Sequence, residues 1–343
     1  MNSTIDVASA HFTNNTNTTP VDLDFGFTKV KYSSFLSVAD ELVNKHEQVA
    51  FQESIQLFES MGAFKTPKQL KVTKKSQVGL LAARTFPHAE HDGLRLSIDL
   101  FIILFLLDDI ADVIDATDAK AMEQAINVEC QLIKVLRGAD PKPSDHALSH
   151  CMKSIIDRMA HLNQDWITLV RQEFIKYLEI GHMERLNRND GKTLSWPMFE
   201  NTRYYSVCAA PFIYLSAAML CKGSPEDLPF MSYMEIMKHL AIKHIAFVND
   251  IVSFNKERYE AVNNNIIIVL ANDRDHTCKD AIGDAIKLSN QNLETFLKLE
   301  SALITKLDPT IHGDSLAFID VLKNCMRGNI DWHFESVRYR TSQ

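Results

Sequence analysis

Turn-forming residues are scarce in this chain of 343 residues, which has 11 glycines and 10 prolines, all scattered. An all-β fold with many hairpins would need more of them. Positive charge is not in surplus either: 36 Lys and Arg stand against 44 Asp and Glu, for a net charge of −8. That balance lacks the electrostatic footprint of a nucleic-acid binder. The six cysteines (Cys130, Cys151, Cys208, Cys221, Cys278 and Cys325) contain no CxxC pair. They read as reduced, mostly buried thiols of a cytoplasmic protein. No apolar run is long; the longest, Leu100 to Leu107, is far too short to span a bilayer. Met1-Asn2-Ser3-Thr4-Ile5 has no basic region followed by an apolar stretch, so no signal peptide is expected. The terminal Arg340-Thr341-Ser342-Gln343 is not a prenylation box.

What the chain does have is apolar residues, 46% of the total, arranged with helical spacing. Leu100, Ile103, Leu104, Leu107 and Ala111 recur at i, i+3, i+4, i+7 and i+11. Leu162, Trp166, Leu169, Val170 and Phe174 form a second stripe, and Ile236, Leu240, His244, Phe247 and Ile251 a third. Breaks are expected at Thr66-Pro67, Phe86-Pro87, Asp140-Pro141, Asn189-Asp190-Gly191, Lys222-Gly223-Ser224-Pro225, Asn272-Asp273 and Asp308-Pro309. Residues 1–22, rich in Asn and Thr, read as a disordered polar tail. There is no internal repeat and no alternation long enough for a sheet. The expectation is therefore an all-α fold, with residues 23–343 forming one domain.

Two acidic islands interrupt this apolar pattern. In the first, Asp108, Asp109, Asp112 and Asp115 follow eight apolar residues. At about 100° per residue, Asp108, Asp112 and Asp115 fall near 0°, 40° and −20°, on one face, with Asp109 to the side. Two bare carboxylates ~4 Å apart repel by ~4 kcal/mol at an effective dielectric of 20, and desolvation adds several kcal/mol per ion. If this face points inward, a partner cation is expected, and Mg²⁺ fits because it takes hard oxygen ligands and bridges carboxylates to phosphates. The bland alternative is a solvated acidic helix end. In the second island, Asn249, Ser253 and Glu257 step by four and sit at about 0°, 40° and 80°. An amide oxygen, a hydroxyl and a carboxylate on successive turns suit one hard cation; chance spacing of common helix residues is the alternative for this motif alone.

Together the motifs resemble those of a class I terpene synthase of the microbial, single α-domain type. Asp108-Asp109-x-x-Asp112 is similar to the family's aspartate-rich motif, and Asn249-Asp250-x-x-Ser253-x-x-Lys256-Glu257 to its Asn/Ser/Glu triad. Arg203 stands where the family places a diphosphate-sensing arginine, and Arg338-Tyr339 matches its terminal Arg-Tyr pair. Order and spacing fit from about residue 80 to residue 339; earlier residues match only by helical pattern. One position departs: the family often has a small residue, frequently Gly, where this chain has Val207, and Pro211 is then the candidate for the helix break.

The resemblance implies a class I terpenoid synthase helical bundle with a central cavity. It implies Asp108, Asp112, Asn249, Ser253 and Glu257 as ligands of Mg²⁺, as three ions, and Arg203, Lys256, Arg338 and Tyr339 as diphosphate binders. Arginine offers phosphate a planar fork, lysine a point charge and tyrosine a neutral donor. Phe105 and Trp332 would line the cavity where a carbocation forms, since aromatic faces attract cations. Arg203, Phe105 and Trp332 are thus the catalytic candidates, while Phe101, Phe212 and Phe247 read as core filler. His88, His91, His239 and His244 lack zinc spacing and read as structural. The implied activity is cyclisation of a linear prenyl diphosphate, farnesyl diphosphate first, to a sesquiterpene. A chain-elongating prenyl synthase would carry a second aspartate-rich motif where this chain has Asn249-Asp250-Ile251-Val252-Ser253; a non-catalytic helical scaffold is the other alternative. The expected partners are the prenyl diphosphate and a second copy of the chain, with neither nucleic acid nor stable membrane insertion.

Overall fold

The computed structural model describes residues 21–25, 28–32, 43–112, 119–189, 193–258 and 264–336. The polar tail expected over 1–22 lies outside them except for Val21 and Asp22, which open a strand. That strand is part of a feature the sequence reading did not anticipate. β1 (Val21–Asp24) pairs antiparallel with β2 (Lys29–Tyr32), Val21 opposite Tyr32 and Asp24 opposite Lys29. Four residues per strand are too few for an alternating pattern to stand out.

The rest of the described chain is helical. α1 (Glu47–Ser60), α2 (Pro67–Lys75), α3 (Val78–Thr85) and α4 (His91–Asp112) come first. α5 (Ala119–Leu136), α6 (Ala147–Arg158), α7 (Gln164–Asn189) and α8 (Trp196–Ser206) follow. α9 (Ala210–Leu220), α10 (Met231–Glu257), α11 (Ile266–Asp273), α12 (Cys278–Ile304) and α13 (Gly313–Glu335) complete the order. The boundaries fall where local chemistry directs. Thr66 Oγ1 accepts from the Gln69 amide at 3.1 Å, with Pro67 opening α2. Thr277 caps α12 in the same way through the Asp280 amide at 3.2 Å.

α4 and α9 are apolar nearly all round, and both are buried; every residue from Ala210 to Ala218 is in the interior. α4 packs against α1, α3, α6 and α9, while α10 lies between α12 and α13. α13 in turn meets α3 at very short range: a Cβ on Gly328 would stand 2.7 Å from the Arg84 carbonyl carbon and the Thr85 nitrogen. Only glycine lets the two backbones come this close. Beside this contact the buried Arg84 reaches Asp331 at 3.3 Å and Glu335 at 2.6 Å, tying α3 to the last turns of α13. The hairpin packs on the far end of α10. Phe25 lies 6.1 Å from Phe254, ring to ring, and the Asn255 amide donates to the Asp24 carbonyl at 2.7 Å.

Candidate active site

α3, α4, α7, α8, α10 and α13 converge on a cavity of about 260 Å³. Its inner part is apolar, with Leu81, Leu104, Phe105, Leu107 and Ile245 among the side chains that form it; Asp108, Arg203, Asn249, Lys256 and Glu257 bring polar atoms to the same space. The two acidic islands, far apart in sequence, thus face one compartment.

α4 delivers Phe105 and, one turn on, Asp108. Tyr177 of α7 donates its hydroxyl to Asp108 Oδ1 at 3.3 Å. Burial, helped by the Asp108 charge, pushes the Tyr177 hydroxyl well above its ordinary value, so it remains a donor. α10 delivers Asn249, Asp250, Lys256 and Glu257. Glu257 Oε2 accepts from Asn265 Nδ2 at 2.9 Å, and the same amide donates to the Asp250 carbonyl at 2.7 Å. Asn265 is fully buried and also caps α11, its Oδ1 accepting from the Ile267 amide at 2.9 Å. One asparagine therefore joins the end of α10 to the start of α11 and holds Glu257.

Arg203, from α8, spans two residues of the triad motif. Its Nε and Nη2 donate to Asp250 Oδ1 at 3.0 and 2.6 Å, and Nη2 also to Asn249 Oδ1 at 2.7 Å. The other Asp250 oxygen accepts from the Ile266 amide at 2.9 Å. Burial lifts the Asp250 carboxyl to about 7, against the pull of Arg203 and with a push from Glu257. On Arg203 burial opposes the charge but is outweighed by Asp250 and Glu184, which leave the guanidinium above its usual range. The short N–H···O contacts favour the charged form of both, and the pair is ionic in the resting protein.

α8 stops immediately after this arginine. Cys208 takes a left-handed backbone, φ 55°, its amide donating to the Tyr205 carbonyl at 3.0 Å. α9 restarts at Ala210 with Pro211 in its first turn. The chain breaks at Val207–Ala209 without a glycine, and Pro211 opens the next helix. Val207 and Cys208 both line the cavity.

Of the residues expected from sequence, Asp108, Arg203, Asn249, Lys256, Glu257, Phe105 and Trp332 surround the cavity. Ser253 does not line it; its buried hydroxyl turns back to the Asp250 carbonyl at 3.4 Å. Asp112 ends α4, but its side chain lies outside the described residues, as do Arg338 and Tyr339. Phe105 and Trp332 meet edge to face, 5.7 Å between centroids, and the Trp332 indole N–H is shared between the Ser76 and Gln77 carbonyls at 3.0 and 3.1 Å.

The aromatic assignment needs one correction. Phe101 and Phe212 are not filler remote from the site: they stack at 3.7 Å and 11° and both line the cavity. Phe247 does stay in the packing, beside Trp196. His244 is buried against Ser289 and His239 stacks on Tyr204, both structural. Asp250, Asn265, Tyr177, Glu184 and His333 went unassigned from sequence. Asn265 had a signal, standing at the switch from Asn263-Asn264-Asn265 to Ile266-Ile267-Ile268 that marks a helix start. Tyr177 and Glu184 had none.

The donors around the cavity suit a hard divalent cation. They are carboxylate and amide oxygens, and a cationic guanidinium already sits on one of them. Among the described residues no three His, Cys, Asp or Glu side chains converge as a closed cage.

The architecture is that of the class I terpene synthases. The crystal structure of a-eudesmol synthase superposes with a TM-score of 0.76 at 21% identity, covering 88% of this chain and 99% of that one. The model of terpene synthase family 2, C-terminal metal binding, matches residues 99–295. The chain therefore belongs to that family. It is 23% identical over 272 residues to (+)-T-muurolol synthase ((2E,6E)-farnesyl diphosphate cyclizing) of Roseiflexus castenholzii, covering 78% of this chain and 81% of that protein. It is 24% identical over 301 residues to germacrene A synthase of Nostoc punctiforme, covering 86% and 91% respectively. No helix among the described residues is long and apolar enough to cross a membrane.

Proposed function

We propose that the protein is a Mg²⁺-dependent sesquiterpene cyclase, a carbon–oxygen lyase acting on farnesyl diphosphate in the cytoplasm, with residues 23–343 as one catalytic domain. The observation that carries this reading is a single cavity lined by Asp108 from the first acidic island, Asn249 and Glu257 from the second, the cations Arg203 and Lys256, and the rings of Phe105 and Trp332. Relatives named for sesquiterpene products support the C15 substrate.

In this reading Asp108 and Asp112 hold metal from α4, and Asn249 and Glu257 hold it from α10; Ser253, between them on α10, joins only by turning its hydroxyl away from the Asp250 carbonyl. Mg²⁺, as three ions, supplies Lewis-acid stabilisation of the leaving diphosphate. Arg203 and Lys256, with Arg338 and Tyr339, bind the diphosphate oxygens and exclude water. The allylic C–O bond breaks with the electron pair leaving on diphosphate. Phe105 and Trp332, together with the Phe101–Phe212 stack, line the space where the cation forms, and a ring face turned to it is worth ~2 kcal/mol when desolvated. An alkene of the same chain closes on the cation, and loss of a proton gives the neutral hydrocarbon.

The test is incubation of the purified protein with Mg²⁺ and farnesyl diphosphate, with product analysis by gas chromatography and mass spectrometry. A cyclic C15 hydrocarbon is expected. A longer prenyl diphosphate would replace this reading with chain elongation, and inertness towards C10, C15 and C20 diphosphates would replace it with a scaffold.

A further inference from the structure

His333 lies directly after Trp332 on α13, is 2% exposed, and borders the same cavity. Its Nδ1 is 2.6 Å from the Asn329 carbonyl one turn back. Its Nε2 is 3.0 Å from Asn249 Nδ2. Asn249 Oδ1, at the other end of that amide, is 2.7 Å from Arg203 Nη2.

The two ends of this series settle the middle. A backbone carbonyl can only accept, so His333 Nδ1 carries hydrogen and donates. In a neutral imidazole Nε2 is then the acceptor. A guanidinium can only donate, so the Asn249 atom facing Arg203 is the oxygen. The Asn249 NH₂ therefore faces Nε2 and donates to it. Turning the amide over would set NH₂ against the guanidinium, donor against donor, and oxygen against the lone pair of Nε2. Every link favours one orientation.

An asparagine ligand is a liability in a way an aspartate is not. Its two ends are nearly the same shape, and only one binds a cation. We propose that His333 is a positioning residue that fixes the face of the Asn249 amide, keeping its oxygen towards the metal side of the cavity. This rests on the reading of Asn249 as a metal ligand. Partners that orient metal ligands from behind typically matter by 10–100-fold in metal affinity.

The experiment is calorimetric titration of Mg²⁺ into protein plus inorganic diphosphate, without a prenyl chain, alongside the Mg²⁺ dependence of turnover. His333→Phe keeps a ring and removes the acceptor; Mg²⁺ binding should weaken by about 10–100-fold. His333→Gln, whose amide oxygen can stand near the Nε2 position, should recover most of that loss. Asn249→Asp supplies the decisive background: a carboxylate has two equivalent oxygens and no wrong face, so adding His333→Phe there should cost less than about 3-fold. If His333→Phe does not fold, His333→Met replaces it in both backgrounds, since a thioether accepts poorly. Wild-type Mg²⁺ affinity in His333→Phe, or an equal loss in both backgrounds, overturns the proposal. Asn249→Ala separates this from failure of the underlying reading. Unchanged Mg²⁺ binding in that variant removes Asn249 as a ligand, whereas weakened binding there with none in His333→Phe removes only the role of His333.

Discussion

Arg203 and Asp250 form a buried ion pair in which two guanidinium nitrogens, at 2.6 and 3.0 Å, share one carboxylate oxygen. The other oxygen holds the first amide of α11 at 2.9 Å. The aspartate thus links Arg203 to the first turn of α11. Asp250→Ala leaves a buried cation and an unpaired amide, and should lower stability by about 3–5 kcal/mol in chemical denaturation. Arg203→Lys keeps the charge but loses the fork. It should fold normally and lose on the order of 10²-fold in kcat.

Asp108→Ala and Asn249→Ala each remove one oxygen donor, from α4 and α10 respectively. Turnover of farnesyl diphosphate should fall by on the order of 10²-fold or more in each, with the helical circular dichroism unchanged. Full activity in either variant would remove that residue from the metal site.

Gly328→Ala tests the junction of α3 and α13. The added methyl would meet backbone at 2.7 Å, and backbone does not give way as a side chain does. Overpacking of this kind costs about 1–3 kcal/mol. Thermal denaturation should show the loss, and KM for substrate should rise because Trp332 and His333 ride on the displaced helix.

Phe212→Leu removes one face of the Phe101–Phe212 stack inside the cavity. Substrate turnover should persist while the ratio of hydrocarbon products changes, as read by gas chromatography. An unaltered product profile would return both phenylalanines to the packing.

His244 supplies a pH dependence remote from the cavity lining. Burial lowers its pKa from 6.5 to about 4, so the folded protein holds it neutral where the unfolded chain would be protonated. Stability is then full above about pH 6.5 and falls as pH drops towards 4, by on the order of 3 kcal/mol. Urea denaturation across that range should show the slope, and His244→Gln should flatten it.

The helices and their breaks were legible because each break had a local cause: Pro67 after a capping threonine, Asp308-Pro309 between α12 and α13, Asn265 before three isoleucines. The cavity was legible through the spacing of Asp108 and of Asn249 with Glu257, since helical periodicity converts sequence offsets into faces. The partners of those residues were not. Tyr177 and His333 act across 69 and 84 residues, and nothing in their own neighbourhoods announces a contact with Asp108 or Asn249; Asn265 announced a helix start but not its bond to Glu257. The role of Phe101 and Phe212 was hidden for a related reason: a ring bordering a cavity and a ring filling a core have the same helical spacing. The hairpin escaped because its strands are four residues long.

The indole of Trp332 hangs from the Ser76 and Gln77 carbonyls, at the seam between α2 and α3. A wall of the reaction chamber is thus fastened to a stretch of chain that carries no recognisable motif. A fragment trimmed to residues 99–295, the part that the family model matches, would lose both the ring and its hook. Any fragment that keeps Trp332 in this anchorage must begin upstream of Ser76, before the stretch that the family model matches.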